Sequence, residues 1–518
     1  MSMTWWDVYL IKFLFILSIF LSLPVVAGER DRGEVFEKSI GRGPFPMTAV
    51  VSEIGNLSYH LDCLSGWIQC SEKSYQDLWK TKLNWSSDDD KALKEWSFIR
   101  QKYDQSIHFD SESLNKTGVR SRSDGIDYGK RLRAASYEAR SMGDFSRRTS
   151  FFMTAPDAQK CTDILSRFYP RFHTWWATGA AKVMKRWTNR LADIVVKHRL
   201  DKMLGDVRVL YSSELKTTTE FRFLLIYKPR EKGGDSRAEC FDERSVIEVS
   251  EGENPSERVD VIWHEMFHYF YHTASFDNHL NLLQSFATSK EPAAVAAYNL
   301  LDESLATALG NGLVVERIQS PDDFKRYFAK PNSFYNNIHI DKMSKNTMSL
   351  IRERLSSGES IYESDFPSLW LKGYQEALAV DAMNPKVFLK NMFFAYDDQF
   401  KSADQLLTRG IKTNSVFSAS PAASAEVINK AVKFNLQSGV ILVSTNNVHT
   451  LEAWKSVIGD AALQDIHKIV SSRANPLVFG VRRDPKAYLF VIVASDPRQM
   501  NEAIGRFLAA DRVFVGEL

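Results

Sequence analysis

The residues best suited to chemistry form the run His264-Glu265-Met266-Phe267-His268. Side chains four residues apart on an α-helix lie on one face, about 6 Å apart along the axis, so both imidazoles can reach one metal ion. Glu265 projects about 100° away from His264, where its carboxylate can contact a water on that metal without being a ligand. This pattern predicts the zinc site of a hydrolase.

A buried helix is predicted to carry these residues. Asn254-Pro255-Ser256-Glu257 is a helix-start signal, with Asn as N-cap, Pro at the first helical position and Glu at the third. We expect the helix to run from Pro255 to about Thr273, and because it is apolar on nearly every side it should lie in the core. Unpaired His and Glu side chains would be costly there. A hydrogen-bonded structural cluster is the alternative to a metal site.

A catalytic zinc needs a third protein ligand and one open coordination position. Tyr271 and Ala274 stand where the metzincin extension of the pattern requires Gly and His, which excludes that class. A carboxylate is then required, and Glu303 is the best placed. It lies in a helix predicted from about Pro292 to Leu309 and ended by Gly310-Asn311-Gly312.

The residue before Glu303 is also acidic. Asp302 projects about 100° away from Glu303 on the same helix, so only one of the two can point at the first helix. Glu303 shares its side with the small residues Ala306 and Thr307, which favour close approach of the two helices. Asp302 is therefore expected to hydrogen-bond a ligand histidine rather than the metal.

Over about residues 245 to 312 the chain resembles the gluzincin group of zinc metallopeptidases, which combine His-Glu-x-x-His with a liganding Glu on a later helix. The resemblance implies His264, His268 and Glu303 as ligands of a Zn2+ cofactor. It also implies Glu265 as general base and proton shuttle, and a peptide or protein as the substrate.

Two further parts of such a site have candidates. A Tyr or His usually steadies the oxyanion in gluzincin-like sites, and Tyr374 is the first candidate for that catalytic role, followed by His272 and His279. Zincin-like enzymes commonly pair an extended substrate with an edge strand before the active helix. The strand predicted from Ser245 to Ser250 lies in that position.

The N-terminus indicates export. The run from Phe13 to Leu23 is almost wholly apolar and small residues follow up to Gly28, which predicts a signal peptide over residues 1–27. The alternative is an uncleaved signal-anchor that tethers the protein to a membrane. Either way we expect a periplasmic or extracellular protein. Four cysteines fit an oxidising compartment, and the expected disulfides are Cys63–Cys70 and Cys161–Cys240.

Composition excludes several classes of protein. The 518 residues include 66 Lys and Arg against 64 Asp and Glu, so no bulk charge predicts a nucleic-acid partner. Beyond the N-terminal segment no apolar run has the roughly 18–20 residues of a spanning helix, which excludes a polytopic membrane protein.

The predicted fold class is α+β. After the signal peptide we expect a polar region over 28–150 and a mostly helical, zincin-like metallopeptidase domain with a small β-sheet over 151–410. A linker over 411–424 and a small α/β domain over 425–518 should follow. Predicted strands before the histidine helix cover Val207 to Tyr211, Phe221 to Tyr227 and Ser245 to Ser250.

Two functions remain open at this point. The leading one is zinc-dependent hydrolysis of peptide bonds. The alternative is a non-catalytic zincin-like scaffold or binding protein that acts through its C-terminal domain. The presence of Glu265 favours the enzyme, because a scaffold has no use for the base.

Overall fold

The computed structural model describes residues 33–68, 70, 72–108, 116–119, 125–229, 237–473 and 476–518. The predicted signal segment, 1–27, lies outside these residues. Among the helices of the described part, none combines the length and the apolar character needed to cross a bilayer.

The chain is a mixed α and β protein in which helices predominate, as the α+β prediction requires in general terms. The α-helices are α1 (Glu53–Leu64), α2 (Glu72–Lys82), α3 (Ser87–Gln101), α4 (Tyr128–Tyr137), α5 (Met142–Thr149), α6 (Ala155–Trp175), α7 (Ala181–Lys197), α8 (Met203–Leu210), α9 (Val259–His272), α10 (Phe276–Thr288), α11 (Ala294–Asn299), α12 (Leu301–Thr307), α13 (Val315–Ile318), α14 (Pro321–Ala329), α15 (Ile338–Ser357), α16 (Phe366–Leu378), α17 (Pro385–Phe388), α18 (Ala403–Ile411), α19 (Ala425–Lys433), α20 (Lys455–Ile458), α21 (Asp460–Ser472) and α22 (Pro497–Ala509).

The strands form two larger sheets and one two-stranded ribbon. They are β1 (Val35–Ser39), β2 (Met47–Ser52), β3 (Ser106–His108), β4 (Gly125–Asp127), β5 (Phe221–Lys228), β6 (Ala238–Phe241), β7 (Arg244–Ser250), β8 (Asn391–Tyr396), β9 (Ser415–Ala419), β10 (Gly439–Ser444), β11 (Leu477–Asp484), β12 (Ala487–Ala494) and β13 (Gly516–Glu517).

The first sheet has the strand order β1-β2-β5-β7-β6. Strands β2, β5 and β7 run parallel, while β1 and β6 are antiparallel to their neighbours. Helix α9 packs against β6 and β7, and the Trp263 indole stacks on the Phe223 ring with centroids 6.3 Å apart. The region 28–150, predicted as a separate polar segment, thus supplies β1 and β2 to the sheet that supports the histidine helix.

Two strand predictions before α9 are wrong. The strand from Ser245 to Ser250 exists as β7, but it lies between β5 and β6, so it is not an edge. The short strand β6 ends the sheet in the described residues. Residues 207–211 do not form a strand, because 207–210 end helix α8, whose Leu204, Val207 and Leu210 recur at three-residue spacing and are buried together.

The second sheet has the strand order β13-β11-β12-β10-β8-β9. Strands β9, β8, β10 and β12 are parallel, and helices pack on both faces, which is a doubly wound α/β arrangement. This sheet extends beyond the α/β domain that the sequence predicts over 425–518. The predicted linker, 411–424, contains β9, and β8 lies inside the segment assigned to the preceding domain.

One of the two expected disulfides is present. Cys63 and Cys70 are bonded, whereas Cys161 and Cys240 are free thiols. Cys161 is buried in α6, and Cys240 lies half-exposed on β6. The Cys161–Cys240 prediction is therefore wrong, because even numbers of cysteines cannot say which pairs the fold brings together.

Alkylation tests this assignment. Burial raises the pKa of the Cys161 thiol to about 12 and also raises the pKa of Cys240. In the native protein we expect slow labelling by iodoacetamide at Cys240 and none at Cys161, because Cys161 has no exposed surface. After unfolding, both should label, while Cys63 and Cys70 stay linked. Mass-spectrometric mapping that finds a Cys161–Cys240 cross-link would contradict the structure.

Candidate metal site

Helix α9 begins at Val259, four residues after the predicted start at Pro255, because the predicted capping residues close a separate 3-10 turn. The Asn254 side chain accepts a hydrogen bond from the Ser256 N–H, and Glu257 completes a capping box around the short 3-10 turn Pro255–Glu257. The following α-helix buries Ile262, Trp263 and Phe267. His264 and His268 lie on the same helix and are 6% and 5% exposed, so two imidazoles are held in the core.

The segment opposite α9 differs from its prediction at one point. After α12 the chain does not stop at Gly310 but widens into a π-helical turn, Ala308–Val314. A Cβ on Gly310 would lie 2.9 Å from the His264 Cα and Cβ atoms and from the Asp260 carbonyl oxygen. Glycine is therefore required here for the two segments to touch, rather than to end a helix.

This close approach brings three side chains together. The Nε2 atoms of His264 and His268 are 3.0 Å apart. The Glu303 carboxylate oxygens lie 3.6 Å from the first Nε2 atom and 3.7 Å from the second. Ligand atoms of all three residues lie within 4.8 Å of one another, and the three residues are buried or half-buried. The predicted histidines and the predicted carboxylate therefore form one cluster.

Hydrogen bonds orient the His268 ring. Its Nδ1 atom lies 2.7 Å from the Asp302 Oδ1 atom, and a carboxylate can only accept, so Nδ1 carries the proton. The other Asp302 oxygen lies 3.2 Å from the His272 Nε2 atom. Asp302 thus holds the His268 ring and leaves its Nε2 lone pair facing the cluster. A hydrogen bond from a histidine of the cluster is the role that the sequence predicts for Asp302.

The His264 ring is oriented through an amide. Its Nδ1 atom lies 3.1 Å from the Asn311 Oδ1 atom, and the Asn311 Nδ2 group donates to the half-buried Asp260 carboxyl at 2.9 Å. Because the Asn311 Nδ2 group donates to Asp260, the amide oxygen faces His264, whose Nδ1 is then the donor. Burial raises the pKa of the Asp260 carboxyl, and the Asn311 hydrogen bond opposes that shift.

Two Nε2 lone pairs and a carboxylate consequently face one another. Electron-rich groups at about 3 to 4 Å repel strongly in a poorly solvated site unless a cation, either a proton or a metal ion, lies among them. Two imidazoles and a carboxylate are also a common donor set for a divalent metal. The cluster is therefore suited to hold one.

Glu265 lies outside this cluster on the neighbouring side of α9 and is half-buried. Helix α9 packs against the edge strand β6, where burial and then the charge of Glu265 raise the pKa of the Cys240 thiol. On another side, the Tyr335 ring stacks against the His264 ring with centroids 6.0 Å apart.

The structure does not place the oxyanion candidates in the cluster. The Tyr374 hydroxyl donates to the Ala382 carbonyl oxygen at 2.7 Å, and the Tyr374 side chain is fully buried. His279 lies 3.4 Å from the Tyr362 hydroxyl, and burial lowers its pKa to about 4. His272 reaches the site through Asp302.

Sequence reasoning missed three residues around the histidines: Asn311 and Tyr335, which contact His264, and Asp260, which binds Asn311. Asp260 precedes His264 by four residues on the same helix face, which is a signal that could have been used. Asn311 was hidden because Gly310-Asn311-Gly312 is typical of a helix end. Tyr335 carries no local signal, since it reaches His264 from a loop before α15.

A glycine substitution tests the close contact. Gly310→Ala should destabilise the protein by about 1–3 kcal/mol, as overpacking does, and weaken metal binding, because the new methyl group forces α9 and the π turn apart. Gly505→Ala is the matched control: a Cβ at this position would have no atom within 4 Å, the residue is exposed in α22, and Ala should stabilise that helix by up to about 1 kcal/mol. Chemical denaturation of both variants gives the comparison, and equal effects would contradict the predicted role of Gly310.

No protein-family model matches the chain, and neither a curated protein nor a solved structure does so. What the cluster does must therefore be inferred from its own atoms. These are two inward-facing imidazole nitrogens on α9 and a carboxylate on α12. The chain after α12 can contact α9 because Gly310 has no side chain. His264, His268 and Glu303 could hold a metal ion.

Proposed function

We propose that this protein is a zinc-dependent hydrolase that cleaves peptide bonds, with His264, His268 and Glu303 as the zinc ligands. The observation that carries the proposal is the convergence of these three side chains, with their ligand atoms within 4.8 Å of one another. The resemblance of residues 245 to 312 to gluzincin metallopeptidases supplies the reaction.

The spacing of the donor atoms suits zinc. Tetrahedral zinc sites have ligand bonds of about 2.0–2.2 Å, which separates neighbouring ligand atoms by about 3.3 Å. The three separations here are 3.0, 3.6 and 3.7 Å. Three protein ligands also leave the open fourth position that a catalytic zinc needs.

The bound zinc supplies a Lewis acid that makes water nucleophilic near neutral pH and polarises the substrate carbonyl. We infer that Glu265 takes the proton from the attacking water and returns it to the leaving amine, since it follows His264 on α9, is half-buried and is not one of the three clustered residues. Asp302 and Asn311 keep the Nδ1 protons in place, so both rings present Nε2 throughout the reaction.

The surroundings favour a peptide as substrate. Among the described residues strand β6 ends the sheet and packs against α9, so we infer that an extended peptide adds to it by backbone hydrogen bonds. This replaces β7 as the strand for that role and agrees with a zincin-like arrangement of sheet and helix. The Cys63–Cys70 disulfide supports our proposal that the enzyme works outside the cytoplasm.

Replacement of the proposed general base, Glu265, distinguishes an enzyme from a non-catalytic scaffold. Glu265→Gln should keep zinc stoichiometric and the unfolding temperature close to wild type, while the rate of peptide-library cleavage falls by about 10²–10⁴-fold, because the amide cannot take a proton. Mass spectrometry of the digest and metal analysis of the same sample give both readouts. Cleavage within tenfold of wild type would exclude this mechanism, and a wild-type protein that binds zinc but cleaves nothing would favour the scaffold.

The two neighbouring acids are distinguished by zinc titration. Glu303→Gln should weaken zinc binding by more than about 100-fold, because it removes a charged ligand. Asp302→Asn, the matched control, should cost about 10–100-fold, because it affects only the hydrogen bond to His268. If Asp302→Asn empties the site and Glu303→Gln binds normally, the third ligand is misassigned. Purified wild-type protein that carries iron instead of zinc would contradict the proposed cofactor.

A further inference from the structure

The two ligand histidines have different partners behind them. His268 donates directly to the Asp302 carboxylate at 2.7 Å, whereas His264 donates to the Asn311 amide oxygen at 3.1 Å. The charge behind His264 lies one residue further away, on Asp260, which accepts from the Asn311 Nδ2 group at 2.9 Å. Asn311 is 8% exposed and Asp260 is half-buried with its Oδ1 atom shielded from solvent, so water screens this chain of hydrogen bonds only in part.

We propose that Asn311, held by Asp260, is a positioning residue that turns the His264 Nε2 atom to the metal and makes His264 the weaker electron donor of the two ligand histidines. The inference rests on the metal site proposed above. A carboxylate accepts a stronger hydrogen bond from an imidazole than a neutral amide does, and so makes the ring more basic. An amide in this position keeps the metal more electron-poor, which favours activation of water.

The wide turn Ala308–Val314 supports this role. Wide turns of this kind interrupt helices most often at functional sites. Here the turn places Gly310 against the His264 backbone, so that the next side chain, Asn311, reaches the ring edge. Asp260 then fixes which end of the amide faces the histidine. An amide with the opposite orientation would present its NH2 group to His264 and favour the wrong tautomer.

A purely structural role is the alternative, in which Asn311 only ties the turn to α9. Such a tie would contribute to the stability of the metal-free protein and would not depend on which of the two residues carries the charge. A positioning role does depend on whether the residue next to His264 carries the charge. An exchange of the two side chains therefore separates the roles, because it keeps the net charge, the atoms and the hydrogen bonds while moving the carboxylate next to His264.

The experiment compares Asn311→Leu, Asp260→Asn, Asn311→Asp and the double exchange Asp260→Asn/Asn311→Asp in the full chain. Zinc affinity is measured by competition with a chromogenic chelator, the ligand field by the visible spectrum of the Co2+-loaded protein, and folding by thermal unfolding without metal. Asn311→Leu removes the acceptor and should weaken zinc binding by about 10–100-fold. Asp260→Asn keeps a hydrogen-bond acceptor and should change the affinity by less than tenfold.

The exchange gives the decisive result. Asn311→Asp alone sets two carboxylates against each other in a buried site and should weaken zinc binding or folding. The double exchange should restore zinc affinity to at least the wild-type value and shift the Co2+ spectrum, because His264 then donates to a carboxylate as His268 does. Wild-type affinity in Asn311→Leu, or a double exchange no better than Asn311→Asp, would overturn the inference. A wild-type protein that binds neither metal would instead refute the proposed function.

Discussion

The structure depends on one arrangement: the Nε2 atoms of His264 and His268 face each other at 3.0 Å in the protein core. Such a pair is unfavourable unless a cation joins it, and neither ring can turn away. Asp302 holds the outer nitrogen of His268, and Asn311 holds that of His264. The lone pairs are thus directed inward before any ion binds, which reduces the cost of organising the site on binding.

A hydrogen-bonded series extends from this pair in both directions. On one side it passes from His264 to Asn311 and Asp260, and on the other from His268 to Asp302 and His272. Asp260, His264, His268 and His272 recur every four residues on α9, so one helix supplies four of the six residues in the series. The opposite segment supplies Asp302, Glu303 and Asn311, and its distance from α9 is set by the absent side chain of Gly310.

Local signals sufficed for the part of the site that lies on one helix. Asn254 and Glu257 cap the 3-10 turn that leads into α9, and the four-residue spacing places both histidines on one face. Glu303 and Asp302 were also told apart by their directions on a helix. Asn311 could not be predicted, because a π turn and a helix end share the same Gly-Asn-Gly run. Pairing between distant segments could not be predicted either. It makes β7 an interior strand, because β6 pairs with it. It also places β9 in a sheet, where the partly buried Val416 and Phe417 pack against residues remote in sequence.

The C-terminal sheet is packed and hydrogen-bonded to the segment that carries Glu303 of the candidate metal site. Asn391, at the start of β8, donates to the Asn299 side chain at 2.8 Å, and the Asn414 side chain donates to the Asn299 carbonyl oxygen at 2.9 Å. Asn299 ends α11, four residues before Glu303. Apolar residues on one face of this sheet, among them Val440 and Phe490, join the same core cluster as Phe267 of α9. The sheet therefore stabilises the segment that carries Glu303, and loss of the sheet would expose that core and release Glu303 from its position.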